Sequence, residues 1–99
     1  MRVRLLQVAE SSPMKSKYVA AFEDGTLVWF GHRDYSDFTL HRDEARRRRY
    51  LARHRARENW TASGIRTAGF WSRWILWHRP TIVQAKRTVS KRFGIQFVK

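Results

Sequence analysis

Two apolar, aromatic-rich runs separated by a short polar break are the clearest pattern in the first third of the chain. They lie in KYVAAFEDGTLVWFG (residues 17–31), and the break is EDGT. Asp-Gly between two such runs predicts a β-hairpin, because glycine adopts a positive φ at little cost. RVRLLQV (2–8) is another apolar run with weaker alternation, so we interpret residues 1–16 as a third strand followed by a polar connector.

After the hairpin the pattern becomes helical. A run rich in Ala, Arg and Leu, all good helix formers, extends from about residue 43 to residue 59 without a helix breaker. Asp43 and Glu44 fall near its first turn, where negative charge interacts favourably with the helix dipole. The segment at about 43–59 is therefore predicted to be the first helix.

Two further helices are predicted towards the C-terminus. TAGFWSRWILWH (67–78) is apolar almost all round, which is typical of a helix in a core or a buried interface. The segment 80–93 begins with Pro80, which suits a first helical turn, and is followed by Gly94, which suits the residue after a last turn. IQFVK (95–99) is a candidate edge strand.

Together these elements predict one α+β domain over residues 1–99. A small antiparallel sheet built on the 17–31 hairpin is packed with three helices, at about 43–59, 67–78 and 80–93. Hydrophobic residues make up 42% of the chain and five residues are tryptophan, which is enough for a core in a small domain. The absence of cysteine excludes a disulfide framework and a thiolate zinc site.

Charge narrows the expected partners. The chain has 21 Lys and Arg residues against 8 acidic ones, a formal net charge of +13, and residues 61–99 carry no acidic side chain. Such an excess favours a polyanionic partner, namely DNA, RNA or an anionic membrane. No apolar run approaches the roughly 18 residues that span a bilayer, and we expect no membrane partner.

The arginines of the predicted first helix show angular order. RRRRYLARHRAR (46–57) contains seven arginines and no lysine. At about 100° per residue, four of them form one stripe about 80° wide, and these are Arg46, Arg49, Arg53 and Arg57. Like charges at this spacing repel one another, and a bound polyanion would offset that repulsion. If each neutralised one phosphate, affinity for a duplex would fall with salt at a log–log slope of about −4.

Other basic side chains extend this candidate surface. Those expected to bind nucleic acid in addition to the stripe are Arg48, Arg55, Lys86, Arg87, Lys91 and Arg92. Tyr50, Leu51 and His54 form a narrow side of the arginine-rich helix, which we expect to dock on the rest of the fold. We interpret His41, His54 and Glu58 as polar contacts between helix and hairpin. The alternatives to a nucleic-acid surface are a face that binds an acidic protein, a solvated face and a targeting signal.

Catalytic and metal chemistry have weaker support. YSDFTLHRDE (35–44) gathers Asp37, His41, Asp43 and Glu44, and metal-dependent nucleases need clustered carboxylates, but the spacing matches no recognised site. First-turn helix positions and a turn cap are simpler uses of these carboxylates. No nucleophile elbow and no Gly-rich phosphate loop is present. We therefore expect a protein that is not an enzyme, with no cofactor and no bound metal.

The tryptophan-rich segment has two interpretations. Trp71, Trp74 and Trp77 could stack on unpaired bases, but at helical spacing among aliphatic residues a core or a subunit interface is favoured. If the sheet covered this helix only in part, a homodimer would be expected. Arg73 is its polar exception, and we predict a salt bridge from Arg73 to one of three carboxylates, those of Asp37, Asp43 and Glu58.

The order of these features resembles a known family. FEDGTLVWFG, YSDFTLHRDEARRRRYLARHRARENW, TAGFWSRWILWHRP and KRFG are similar to small basic uncharacterised proteins encoded by large double-stranded DNA viruses of algae and amoebae. The similarity covers roughly residues 17–94, and YSDFTLHRD and SRWILW are its most specific parts. It implies a viral protein made in an infected eukaryotic cell, located in the virion or in the nucleus or virus factory, but it implies no activity. Related chains mix lysine with arginine, whereas this chain is richer in arginine.

The combined expectation is non-enzymatic, largely sequence-independent nucleic-acid binding, in the form of viral DNA condensation or packaging. Arginine contacts to phosphates position a protein without reading sequence. DNA is the favoured partner, with RNA as the alternative. The second candidate function is a virion structural protein that bridges capsid or acidic proteins, and the third is a small metal-dependent nuclease.

Overall fold

A four-stranded sheet forms one side of the molecule. The computed structural model describes all residues, Met1–Lys99, and its strands are β1 (Arg2–Gln7), β2 (Ser16–Phe22), β3 (Leu27–His32) and β4 (Gln96–Phe97). The strand order is β3-β2-β1-β4; β1 and β2 pair antiparallel, as do β2 and β3, whereas β1 and β4 pair parallel. The sheet is therefore mixed, and not purely antiparallel as predicted, because the C-terminal strand runs beside β1 in the same direction.

The predicted hairpin is present in β2 and β3. Its turn contains Gly25 at φ +90°, a left-handed conformation that favours glycine, and Asp24 Oδ1 accepts a hydrogen bond from the Thr26 N–H at 2.9 Å. Tyr18 pairs with Phe30 across the two strands. The alternation of the strands directs one set of side chains to the core, and its buried members are Val3, Ala20, Phe22, Val28 and Phe30.

Two helices follow the hairpin: α1 (Phe38–His41) and α2 (Glu44–His54). Asp43 is the N-cap of α2, and its Oδ1 accepts hydrogen bonds from the N–H groups of Ala45 and Arg46. The helix ends at His54 and not near residue 59. In the turn that follows, the Arg57 N–H donates to the His54 carbonyl at the tighter i→i−3 spacing, and the Glu58 N–H donates to the same carbonyl. The start of α2 was thus predicted well and its end was not.

The tryptophan-rich segment is not one continuous α-helix over 67–78. It consists of α3 (Ala68–Trp71) and a π-helical turn (Ser72–Leu76), with Thr67 as the N-cap; we refer to Ala68–Leu76 as the tryptophan segment. Wider π-helical turns of this kind occur as single-turn insertions in helices. Here the turn accompanies the burial of nearly every large side chain, namely Phe70, Trp71, Trp74, Ile75 and Leu76.

The last helix, α4 (Ile82–Phe93), packs against the tryptophan segment and precedes β4. Its N-cap is Thr81, whose Oγ1 accepts a hydrogen bond from the Gln84 N–H at 3.2 Å, so Pro80 lies before the cap and not in the first turn. Gly94 ends the helix at φ +66°, as its position in the sequence predicted. Ala85 and Val89 are the fully buried residues of α4.

The core lies between the sheet, the tryptophan segment and α4. Trp71 is fully buried, and its Nε1–H donates to the Ile65 carbonyl at 2.6 Å; Trp74 Nε1–H donates to the Trp60 carbonyl at 2.9 Å. Both indole donors are therefore satisfied inside the fold. The α+β class and the core role of the tryptophan segment are confirmed. None of the helices combines the length and apolar character required to cross a membrane.

Candidate nucleic-acid interface

The arginines of α2 and of the turn after it form an unneutralised surface. Six of them are exposed and make no side-chain hydrogen bond and no ion pair within the chain: Arg46, Arg48, Arg49, Arg53, Arg55 and Arg57. We call these six the arginine surface. Among all Lys and Arg side chains of the protein, only Lys17, Arg47 and Arg66 form an ion pair with a carboxylate. The fold thus leaves the positive charge of this surface to solvent.

The predicted four-residue stripe is divided by the end of the helix. Arg46, Arg49 and Arg53 lie on α2, where the 3.6-residue period keeps them on neighbouring positions of one face. Arg57 lies in the turn that follows His54. The helical period therefore does not fix its direction, and a stripe of three helical arginines, extended by a fourth in the turn, replaces the predicted four.

The opposite side of α2 docks through Tyr50. The Tyr50 ring lies parallel to the Trp77 ring, with centroids 4.1 Å apart and an interplanar angle of 1°, and His54 stacks on its other side at 4.3 Å. Burial, with a smaller contribution from Glu58, raises the pKa of Tyr50 to about 12. Tyr50 is the only buried residue of α2, so the predicted docking side is confirmed.

Arg47 serves a different purpose from its neighbours. Its Nε–H donates to the Trp77 carbonyl at 2.9 Å, and its Nη1 pairs with Glu44 Oε1 at 3.0 Å. Arg42, just before the helix, donates through Nε to the Pro80 carbonyl at 3.2 Å. These bonds hold the first half of α2 on the loop after the tryptophan segment, which orients the exposed arginines outwards.

His41 and Glu58, which flank α2, were predicted to contact the hairpin. They lie instead against Trp77 and Gly69. The His41 ring lies 5.3 Å from the Trp77 ring, and its Nδ1 accepts a hydrogen bond from the Asp43 N–H. Glu58 lies 3.8 Å from His54 and packs so closely on Gly69 that a Cβ there would overlap Glu58 Oε2.

A second basic surface lies on α4, as expected. A cavity of about 370 Å³ is lined only by four cations and a threonine: Arg79, Arg87, Thr88, Lys91 and Arg92. Arg92 is anchored with its guanidinium 4.8 Å from the Trp74 ring, and Lys86 Nζ lies 5.2 Å from the Phe97 ring. Sequence reasoning missed Arg79, because it lies outside the helix and only the fold brings it beside α4.

Arg73 lacks the predicted salt bridge. Its guanidinium lies 3.9 Å from the Trp74 ring and 5.3 Å from the Trp60 ring, and its Nη1 is 3.0 Å from His78 Nδ1. Burial lowers the pKa of Arg73 to about 10, and burial followed by the charges of nearby arginines lowers that of His78 to about 4. Aromatic faces replace the expected carboxylate, since no acidic residue forms an ion pair with Arg73.

The clustered carboxylates have separate structural roles. Asp37 is buried, caps α1 and pairs with Lys17 Nζ at 2.7 Å; Asp43 caps α2, and Glu44 pairs with Arg47. No group of three or more His, Asp or Glu side chains is arranged to hold a metal ion.

The buried tryptophans are not available to nucleic-acid bases, since Trp71 and Trp74 lie inside the fold. The large apolar side chains of the tryptophan segment are covered within the chain. Partial coverage of this segment was the reason for expecting a homodimer, and that reason does not apply.

A cleft that the sequence did not predict adjoins the arginine surface. It has a volume of about 470 Å³ and lies between the ends of β2 and β3, the loop after β3, α2 and the tryptophan segment. Arg46 and Arg53 line it from α2, and Tyr35 and His32 line it from the hairpin side. We call it the hairpin cleft. Exposed Tyr35 in a polar loop was the only local signal that could have indicated it.

Comparison with known proteins gives a family without a known activity. The sequence model of a family of unknown function (DUF5754) matches residues 7–54, from the end of β1 to the end of α2. This part of the chain is similar to that family and includes the hairpin and all of α2. No curated protein and no solved structure matches the chain.

Proposed function

We propose that the protein binds nucleic acid without enzymatic activity and largely independently of sequence, through the arginine surface. The observation that carries this proposal is the set of six exposed guanidinium groups that have no partner within the chain. Arginine forks bind phosphates bidentately, and phosphate contacts supply most sequence-independent affinity. Backbone contacts of this kind position a protein without specifying a sequence.

Energetics support a partner of opposite charge. Two like-charge pairs recur along the helical part of the stripe, at Arg46/Arg49 and Arg49/Arg53, and a pair at helical spacing destabilises by a few tenths of a kcal/mol. The docking of α2 through Tyr50, Arg47 and Arg42 fixes the helix while leaving these charges exposed. A polyanion that lies along α2 would remove the repulsion and release counterions at the same time.

Two basic surfaces favour condensation over simple coating. The arginine surface belongs to α2, and the second basic surface comprises Arg79 and, on α4, Lys86, Arg87, Lys91 and Arg92. The two helices contact different parts of the chain around the tryptophan segment: α2 packs on Trp77 and α4 packs on Trp74. One molecule could therefore hold two duplex segments together. This is the chemistry of DNA condensation or packaging, and the sequence resemblance suggests a virion or a virus factory as its setting.

The arginine surface is tested by fluorescence anisotropy on duplex DNA, single-stranded DNA and RNA over a salt series. The variant carries Ala at positions 46, 49, 53 and 57. The matched control also loses four positive charges but carries Ala at exposed positions 2, 4, 15 and 99. We expect the stripe variant to reduce the log–log salt slope on duplex by about 3 to 4 and the control to change it by less than about 1. Equal loss in both variants would reduce the effect to net charge and contradict the proposal.

Condensation is tested with the double variant Arg87→Ala and Lys91→Ala, since both side chains are exposed and make no contact that holds the core. Light scattering should show that the wild type aggregates long duplex DNA and that the double variant does so only at a much higher protein concentration. Its affinity for one short duplex should remain close to that of the wild type. Unchanged aggregation would show that α4 does not hold a second segment.

A further inference from the structure

The hairpin cleft has the size of a ligand site and lies beside the arginine surface. Its volume of about 470 Å³ falls within the range of small-molecule sites, roughly 300–1,000 Å³. Arg46 and Arg53 of the stripe line it as well as belonging to the arginine surface. A strand whose phosphates follow α2 would therefore pass directly over the opening.

The walls of the cleft are aromatic on two sides. Tyr50 and His54, which stack on each other, line it from α2, and Tyr35 and His32 line it from the loop and β3. Tyr35 is 71% exposed, and its ring lies beside the His32 ring at a centroid distance of 5.0 Å. An exposed tyrosine that supports no core is available to stack on a flat ligand.

The loop that carries Tyr35 is held by a buried ion pair. Lys17 Nζ donates both to the Tyr35 carbonyl and to Asp37 Oδ2, and the Asp37 side chain also accepts hydrogen bonds from Thr39. Asp37 is only 2% exposed. The backbone of this wall is thus held in place before any ligand arrives, and preformed sites bind with a smaller loss of conformational entropy.

We propose that the hairpin cleft binds one unpaired nucleotide of the bound strand, with its base beside Tyr35 and its phosphate on Arg46 and Arg53. A nucleotide combines the two properties that the cleft presents, a flat aromatic ring for the walls and an anion for the guanidinium groups at the opening. The inference rests on the proposed function and deepens it. The protein then favours strands with an end, a bulge or a single-stranded segment over a fully paired duplex.

The test compares a short duplex that carries one bulged adenosine with the same duplex fully paired. Wild type should bind the bulged duplex roughly tenfold more tightly, the scale of one base stacked on an aromatic side chain. Tyr35→Ala should abolish this preference without changing affinity for the paired duplex. Tyr35→Phe should retain it because the ring remains. Leu40→Ala, which changes a similarly exposed side chain outside the cleft, should also retain it.

The outcomes separate this inference from the proposed function. If neither duplex binds, the proposed function fails and the inference fails with it. If wild type binds both duplexes equally, or if Tyr35→Ala keeps the preference, the nucleic-acid surface stands and the cleft assignment is wrong. Adenosine 5′-monophosphate is the last probe. It should bind much more weakly than the bulged duplex, and equal affinity would overturn the assignment to a nucleotide within a strand.

Discussion

The arginine-rich helix α2 stacks on Trp77, the residue that follows the tryptophan segment, but the helix and the segment serve opposite purposes. In α2 one residue, Tyr50, is buried and the exposed positions carry unpaired guanidinium groups. In the tryptophan segment five large side chains are buried and the one charged residue, Arg73, lies against indole faces. The unpaired positive charge therefore lies on α2, which contributes little to the core. The buried apolar area that stabilises the fold lies in the tryptophan segment, which exposes little surface.

This separation predicts that stability and binding can be altered independently. Burial of apolar area dominates stability, whereas phosphate contacts dominate sequence-independent nucleic-acid affinity. Substitutions in the tryptophan segment should unfold the protein, and substitutions on the arginine surface should leave it folded. Substitutions in the stacked ring pair of Tyr50 and Trp77 should affect both stability and nucleic-acid binding.

The largest expected effect is that of Trp71→Ala. Trp71 is fully buried, contacts Phe22, Phe30 and Phe70, and donates its Nε1–H to a carbonyl, so truncation leaves a large cavity. We expect the free energy of unfolding to fall by about 4 kcal/mol, measured by urea denaturation. Leu40→Ala, at an exposed position, is the control and should stay within about 0.5 kcal/mol of wild type. A small loss at Trp71 would contradict its place in the core.

Tyr50→Ala should remove the stacking contact through which α2 docks on Trp77. Tyr50 stacks on both Trp77 and His54, and its loss should lower the free energy of unfolding by about 3 kcal/mol. Duplex affinity should fall as well, because α2 loses its main docking contact. Tyr50→Phe keeps the ring and should retain both stability and affinity. If Tyr50→Ala lowered neither quantity, α2 would be held by other contacts.

A smaller effect is expected from His78, which lies beside Arg73. Burial and nearby arginines lower its folded-state pKa from 6.5 to about 4. Stability from this residue is complete above pH 6.5 and is lost as the pH falls towards 4, because only the unfolded chain takes up the proton in that range. Allowing for partial exposure, we expect a loss of about 1 kcal/mol between pH 7 and pH 5.

The His78 effect is measured as the difference between wild type and His78→Gln in urea denaturation at both pH values. The difference is needed because the pKa of His41 is also lowered, chiefly by burial, and contributes to the pH dependence of both proteins. A variant that lost as much stability as wild type between pH 7 and pH 5 would assign the dependence to other groups.

The smallest effect on stability should come from the arginine surface itself. Alanine at positions 46, 49, 53 and 57 removes the two repulsive pairs of α2 and introduces the best helix former at its three helical positions, so the free energy of unfolding should rise by up to about 1 kcal/mol. The gain should shrink at high salt, where surface charges are screened. A variant less stable than wild type at low salt would show that these arginines make contacts that hold the fold.

Local chemistry made part of the fold predictable from the sequence. The Asp24-Gly25 turn between two apolar runs identified the hairpin, Asp43 marked the start of α2, and Gly94 marked the end of α4. The apolar character of the tryptophan segment correctly indicated a core element. In each case the signal lies in a few adjacent residues, as a glycine that adopts a positive φ, a capping side chain or an apolar run.

Features that depend on distant neighbours were missed. Helix propensity did not describe the end of α2 at His54, where a turn follows, or the π-helical turn among the buried side chains of the tryptophan segment. Arg73 was given a carboxylate partner because composition offered one, whereas the fold brings aromatic faces to it. The parallel pairing of β4 with β1 joins the two ends of the chain, so no local pattern could reveal it.

By itself, the sequence determined the α+β class, the hairpin, a core rich in tryptophan and an arginine-rich helix with one narrow docking side. The tertiary structure alone decided which arginines remain without a partner, and it assembled the hairpin cleft from residues as distant as Lys17 and Trp77. The physical reason is the range of the interactions. Backbone preferences and amphipathic patterns act over a few residues, whereas ion pairing and cavities depend on which side chains the completed fold brings together.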